Sequence, residues 1–75
     1  MSGPDEGAPI SYLALRRGTR VCASDGAEVG HVRRVQDNAR EHIFDGIVVD
    51  TAHGQRFVDA PEVAHIAERA VRLTI

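Results

Sequence analysis

The chain has 75 residues, which is room for one domain, and its nine basic residues, all Arg, against eleven acidic ones give a formal net charge of −2. That balance excludes a global electrostatic pull toward nucleic acid or anionic lipid. The single Cys22 excludes an internal disulfide, no apolar run nears the roughly 18 residues of a membrane span, and no basic-then-apolar leader opens the chain, so a cytoplasmic protein is expected.

Met1 to Ile10 (MSGPDEGAPI) is Gly-, Pro- and acid-rich and has no periodicity. Such a stretch buries too little apolar surface to offset its ordering entropy, so residues 1–10 are read as a disordered tail and 11–75 as the domain. Tyr12-Leu13-Ala14-Leu15 is either one helical turn or an opening strand. From Arg20 the pattern is β, with short β-branched runs separated by Gly-containing turns.

Two hairpins are predicted with their register. Val21-Cys22-Ala23 and Ala27-Glu28-Val29 flank Ser24-Asp25-Gly26. A two-residue Asp25-Gly26 turn sets Val21 opposite Gly30. A three-residue loop with Gly26 as a bulge sets Val21 opposite Val29 and gathers the valines on one face, which is preferred. Ile47-Val48-Val49-Asp50-Thr51 and Gln55-Arg56-Phe57-Val58 flank Ala52-His53-Gly54. The same loop there pairs Val49 with Phe57 and Asp50 with Arg56, apolar against apolar and acid against base.

Between the hairpins, Val29, Val32 and Val35 break strict alternation, so a bulge or bend is expected near Gly30 and another at Gly46. Gln36 to His42 reads as a polar loop. Pro61 to Ile66 reads as one helical turn, with Val63 and Ile66 on one face. Ala67 to Ala70 turns the chain. Val71-Arg72-Leu73-Thr74-Ile75 alternates inward and outward as a final strand. The sum is a mainly β fold: a small, partly closed barrel of five to six short strands with one short helical turn. Its expected core is Leu15, Val21, Val29, Val32, Val35, Ile43, Ile47, Val49, Phe57, Val63, Ile66, Val71, Leu73 and Ile75.

Gly18-Thr19-Arg20-Val21, Ser24-Asp25-Gly26 and Val29-Gly30-His31-Val32 resemble the opening of PRC-barrel domains. Ile47-Val48-Val49, Arg56-Phe57-Val58, Pro61-Glu62-Val63 and the terminal strand resemble their remainder, so the resemblance runs from Leu15 to Ile75. The family is similar to the cytoplasmic domain of the photosynthetic reaction-centre H subunit and to the C-terminal domain of a ribosome maturation factor. The resemblance implies a compact β-barrel that contacts other macromolecules, and it brings no catalytic motif. With neither a membrane helix nor an RNA-associated domain alongside, neither relative's role carries over.

Candidates for chemistry are few. His31, His42, His53 and His65 lie about one hairpin apart, but on a strand, a polar loop, a loop tip and a helical turn, with no HxH or HxxxH pair. They read as scattered surface imidazoles, and no metal or cofactor is expected. Cys22, expected to be partly exposed, faces Glu28, an acid and not the base a thiol nucleophile needs. Asp45, Asp50, Asp59 and Glu62 read as solvated acids at strand ends. There is no phosphate-binding Gly loop, nucleophile elbow or CxxC.

These readings favour a non-enzymatic protein–protein interaction module that self-associates as a homodimer or larger, because about 65 residues form a marginal core. Phe44 and Val58, not placed on the core face, mark its apolar contact surface. The alternative is an RNA- or ribosome-associated factor using Arg16, Arg17, Arg20, Arg33 and Arg34, since Arg forks suit phosphate. Only Tyr12, Phe44 and Phe57 are available for stacking on bases.

Overall fold

A computed structural model describes residues 6–38, 40–41 and 43–75. Six strands form one mixed sheet: β1 (Arg20–Cys22), β2 (Glu28–Asn38), β3 (Ile43–Thr51), β4 (Gly54–Asp59), β5 (Val63–Ile66) and β6 (Ala70–Leu73). Their order across the sheet is β4-β3-β2-β1-β6-β5, antiparallel except where β1 runs parallel to β6. Two 3-10 turns complete it, Tyr12–Ala14 and Ala60–Glu62. The first settles the Tyr12 to Leu15 alternatives as a turn, capped by Ser11, whose hydroxyl accepts from the Leu13 N–H at 3.1 Å.

The connection from β4 to β5 shapes the sheet. These strands are its two borders, yet only Ala60–Glu62 lie between them. Six flat strands would set the borders about 24 Å apart at the usual strand spacing. Four residue steps reach about 14 Å. The sheet therefore curls until its borders approach, while no ladder joins β4 to β5 among the described residues.

Bulges allow the curl. Register shifts occur opposite Val29, at Arg33 and at Asp45, beside the expected bends at Gly30 and Gly46. Gly30 and Gly46 are places of close backbone approach. A Cβ on Gly30 would lie 2.0 Å from the Asp50 carbonyl oxygen, and one on Gly46 2.2 Å from that of Val58. Any side chain there would force the strands apart.

The first hairpin closes with the expected bulged loop. Gly26 has φ +92°, its N–H donates to the Ala23 carbonyl, and Cys22 faces Glu28. Val21, however, faces Gly30 and not Val29, because Val29 is itself extruded as the extra residue. Cys22 is buried, at 4% exposure, and not partly exposed: Glu28 and Arg72 flank it on the neighbouring strands. The second hairpin departs further. Its loop is Ala52-His53, Thr51 pairs with Gly54, Val48 with Phe57 and Val49 with Arg56. Asp50 thus faces Gln55, not Arg56. The Thr51 hydroxyl explains the shorter turn: it donates to the Gly54 carbonyl at 2.7 Å and accepts from the His53 N–H at 3.1 Å.

That one-residue slip exchanges faces. Val58 pairs with Ile47 and is buried, whereas Phe57 is turned outward and is 49% exposed. Ile43 and Ile75, also expected in the core, are exposed. The observed core is Val21, Val32, Ile47, Val49, Val58, Val71 and Leu73, with Leu15, Val29, Val35, Phe44, Val63 and Ile66 packed against it. Its members are aliphatic, and each fully buried one contributes roughly 1.5–3 kcal/mol.

Two further segments differ from expectation. Gln36–Asn38 extend β2 instead of opening a loop, and Asn38 Oδ1 closes the turn by accepting from the Arg40 and Glu41 N–H groups. The helical turn stops at Glu62; Val63–Ile66 form a strand on β6. The Ala67 to Ala70 turn is present, with the Ala67 N–H donating to the Ala70 carbonyl. Of the stretch read as a tail, residues 1–5 lie outside the described residues. Residues 6–10 run along the β5–β6 turn: Ile10 N–H donates to Ile66, Glu68 N–H to Ala8 and Arg69 N–H to Glu6.

Candidate functional site

Two surfaces stand out, one apolar and one basic. The apolar one lies where the sheet fails to close. A cleft of about 280 Å³ opens there, lined by Val29, Val49, Val58, Leu73 and Ile75, with Arg56 and Glu62 also on its walls. Ile75 is 62% exposed beyond the end of β6, where its carbonyl accepts from the Ser24 N–H. Phe57 also lines this cleft. Gly54 to Phe57 are all exposed, so β4 presents a bare border with an aromatic ring on it.

The basic surface joins residues distant in sequence. Arg16, Arg17 and Thr19 come from the segment before β1, Arg20 from β1, His31 from β2 and Arg69 from the β5–β6 turn; with Gly18 and Glu68 they line one concavity of about 500 Å³. Register explains the meeting: Arg20 pairs with His31 on one side and with Ala70 on the other, so Arg69 follows β6 to the same end of the sheet. The Arg16–Thr19 turn is held by the Thr19 hydroxyl, which donates to the Arg16 carbonyl at 2.7 Å, and by the Gly18 N–H, which donates to Val32.

The candidate residues from sequence divide accordingly. Arg16, Arg17 and Arg20 are brought together. Arg33 leaves that group: as the bulged residue of β2 its guanidinium lies 3.6 Å from the Asp50 carboxylate. Arg34 is exposed, lies opposite Val48, and does not line the concavity. Phe44 is half-buried and stacks on Tyr12, ring centroids 4.9 Å apart and planes 23° from parallel. Val58 is a core residue, 7% exposed, and meets the surface only as part of the cleft wall. Phe57, Ile75 and Arg69 take the places the sequence did not assign. Phe57 required the hairpin register; Arg69 required the parallel β1–β6 pairing, which no local pattern announces.

The remaining ionisable groups are occupied or scattered. Arg72 binds the Glu6 carboxylate, and that hydrogen bond and charge raise the guanidinium above its ordinary value. His31, His53 and His65 sit on β2, in the β3–β4 loop and on β5, and His42 lies outside the described residues. Among the described residues no cluster of three or more His, Cys, Asp or Glu is placed to hold a metal ion. No helix among them is long and apolar enough to cross a membrane. No family model matches the chain, and no curated protein matches it.

Proposed function

We propose that the chain is a non-catalytic protein–protein interaction module of PRC-barrel type, acting in the cytoplasm, and that a second copy of the chain is its first partner. The bare β4 border carries this reading. A strand border offers unpaired backbone donors and acceptors to another strand, and pairing across it supplies main-chain hydrogen bonds without catalytic groups. At the opposite border residues 6–10 bond to Ile66, the last residue of β5, and to the β5–β6 turn, whereas β4 is unpaired along its outer side among the described residues. An antiparallel two-fold pairing centred on Phe57 sets Phe57 opposite the partner's Phe57 and Gln55 opposite the partner's Asp59. It also covers exposed apolar surface beside a small aliphatic core, which suits a marginal domain.

Sedimentation velocity at micromolar concentration tests the proposal. The expected result is a dimer that Phe57→Asp converts to a folded monomer, because two carboxylates would then face each other across the two-fold axis. A wild-type chain that stays monomeric rejects the self-association. Affinity capture with and without nuclease tests the wider module reading, for which a discrete protein surviving nuclease is the expected outcome.

The alternative, an RNA- or ribosome-associated factor, draws on the clustering of Arg16, Arg17 and Arg20. It lacks a stacking platform beside those arginines: Tyr12 and Phe44 stack on each other, and none of the three aromatic residues lines the concavity. Capture of ribosomal components lost on nuclease treatment would favour it.

A further inference from the structure

We infer that the concavity formed by Arg16, Arg17, Arg20, His31 and Arg69 is a binding site for a small, multiply charged phosphate-class oxyanion. This inference does not rest on assembly through β4.

The first observation is convergence. On a chain with net charge −2, four guanidinium groups line one concave surface of about 500 Å³, where the one carboxylate among the described residues is that of Glu68. Glu68 is itself engaged, since its Oε1 accepts from the Ala8 N–H at 2.9 Å. Like charges gathered in a concavity raise the local positive potential and draw multivalent anions.

The second observation is the contrast among arginines. Arg33 and Arg72 have carboxylate partners in Asp50 and Glu6. Among the described residues Arg16, Arg17 and Arg20 have no ion pair and no side-chain hydrogen bond. The Nε atoms of Arg20 and Arg72 are both buried without a hydrogen-bond partner, so what sets Arg20 apart is that its guanidinium has no carboxylate among the described residues. A guanidinium held mid-sheet and left unpaired is preorganised for an external acceptor, and its planar donors match a phosphate oxygen pair.

The third observation is what the site omits. No aromatic side chain lines it, so it holds nothing for a base to stack on. Recognition there runs through the phosphate charge alone, and a compact anion such as a diphosphate supplies that charge without bases that would find no stacking partner.

Inorganic pyrophosphate is the probe. Calorimetric titration of the full chain at low salt, with the arginine Nε–Hε resonances followed by NMR, should show saturable binding and a selective shift of Arg20. Arg20→Gln and Arg16→Gln should each weaken binding at least tenfold, while Arg34→Gln leaves it unchanged. Arg20→Lys, which keeps the charge and loses the fork, should weaken it without abolishing it, and circular dichroism confirms that each variant is folded. A second titration with a short single-stranded RNA separates the sources of phosphate. Binding of pyrophosphate alone, or of both ligands through the same arginines, supports the site. RNA binding without pyrophosphate binding overturns it, as does the absence of saturation at millimolar pyrophosphate. Equal losses in the Arg34→Gln and Arg20→Gln chains also overturn it, because they would show attraction to general surface charge.

Discussion

The two borders of the sheet have opposite fates. At the Ile66 end of β5 the chain covers its own edge: Pro9 bridges to Ala67, Ile10 N–H reaches the Ile66 carbonyl at 3.0 Å, and Glu6 binds Arg72 across the next strand. At β4 nothing among the described residues pairs on the outer side, and Phe57 stands there half-exposed. An uncovered border invites pairing, and proteins ordinarily blunt it. Covering the Ile66 end of one border and leaving the other open favours growth by strand addition at β4.

The sharpest break in this comparison comes from adjacent residues on the open border. Val58 is 7% exposed and packs on the core, while Phe57 points away from it. Val58→Asp buries an unpaired charge and should cost more than about 4 kcal/mol, a large share of a small domain's stability. It should abolish the cooperative thermal transition. Phe57→Asp should keep that transition and lose only self-association. If the two variants behaved alike, β4 would not have an inner and an outer face.

The closed border predicts the next largest effect. A chain lacking residues 1–10 loses the backbone hydrogen bonds of Ala8 and Ile10, each worth about 0.5–1.5 kcal/mol net, and exposes β5. We expect a loss of roughly 2–4 kcal/mol on those bonds and the packing beneath them, and a fall in Tm of about 10 °C or more by differential scanning calorimetry. The truncated chain should also form larger species, since both borders are then open. An unchanged Tm would mean that residues 6–10 rest on the edge without holding it.

These borders also show what the sequence made legible. Strand runs, Gly-centred turns and the bends at Gly30 and Gly46 followed from β-branched residues and glycines, whose effects are local. Alternation found most of the core. What failed was register: the Thr51 hydroxyl closed the second hairpin one residue shorter, and that moved Phe57 out and Val58 in. The cover at β5 was hidden because Glu6 to Ile10 has no strand pattern and is held by partners about sixty residues away. Three of the four arginines of the basic site, Arg16, Arg17 and Arg20, were visible in the sequence. Arg69 joins them only through the parallel pairing of β1 with β6, a long-range fact.

The smallest expected effect separates the arginines that are spent from those that are open. Arg33 and Asp50 form a 3.6 Å ion pair with side chains 41% and 46% exposed. An exposed pair of this kind gains little Coulomb energy in water and loses side-chain freedom, so Arg33→Ala should change stability by less than about 1 kcal/mol. Chemical denaturation should give a midpoint within a few tenths molar of the wild type, with less difference still at high salt. The same substitution should leave pyrophosphate affinity nearly intact, because Arg33 does not line the concavity. A large loss of affinity in Arg33→Ala would place the anion on the outer face of β2 and β3, away from the end of the sheet where Arg20 and Arg69 meet.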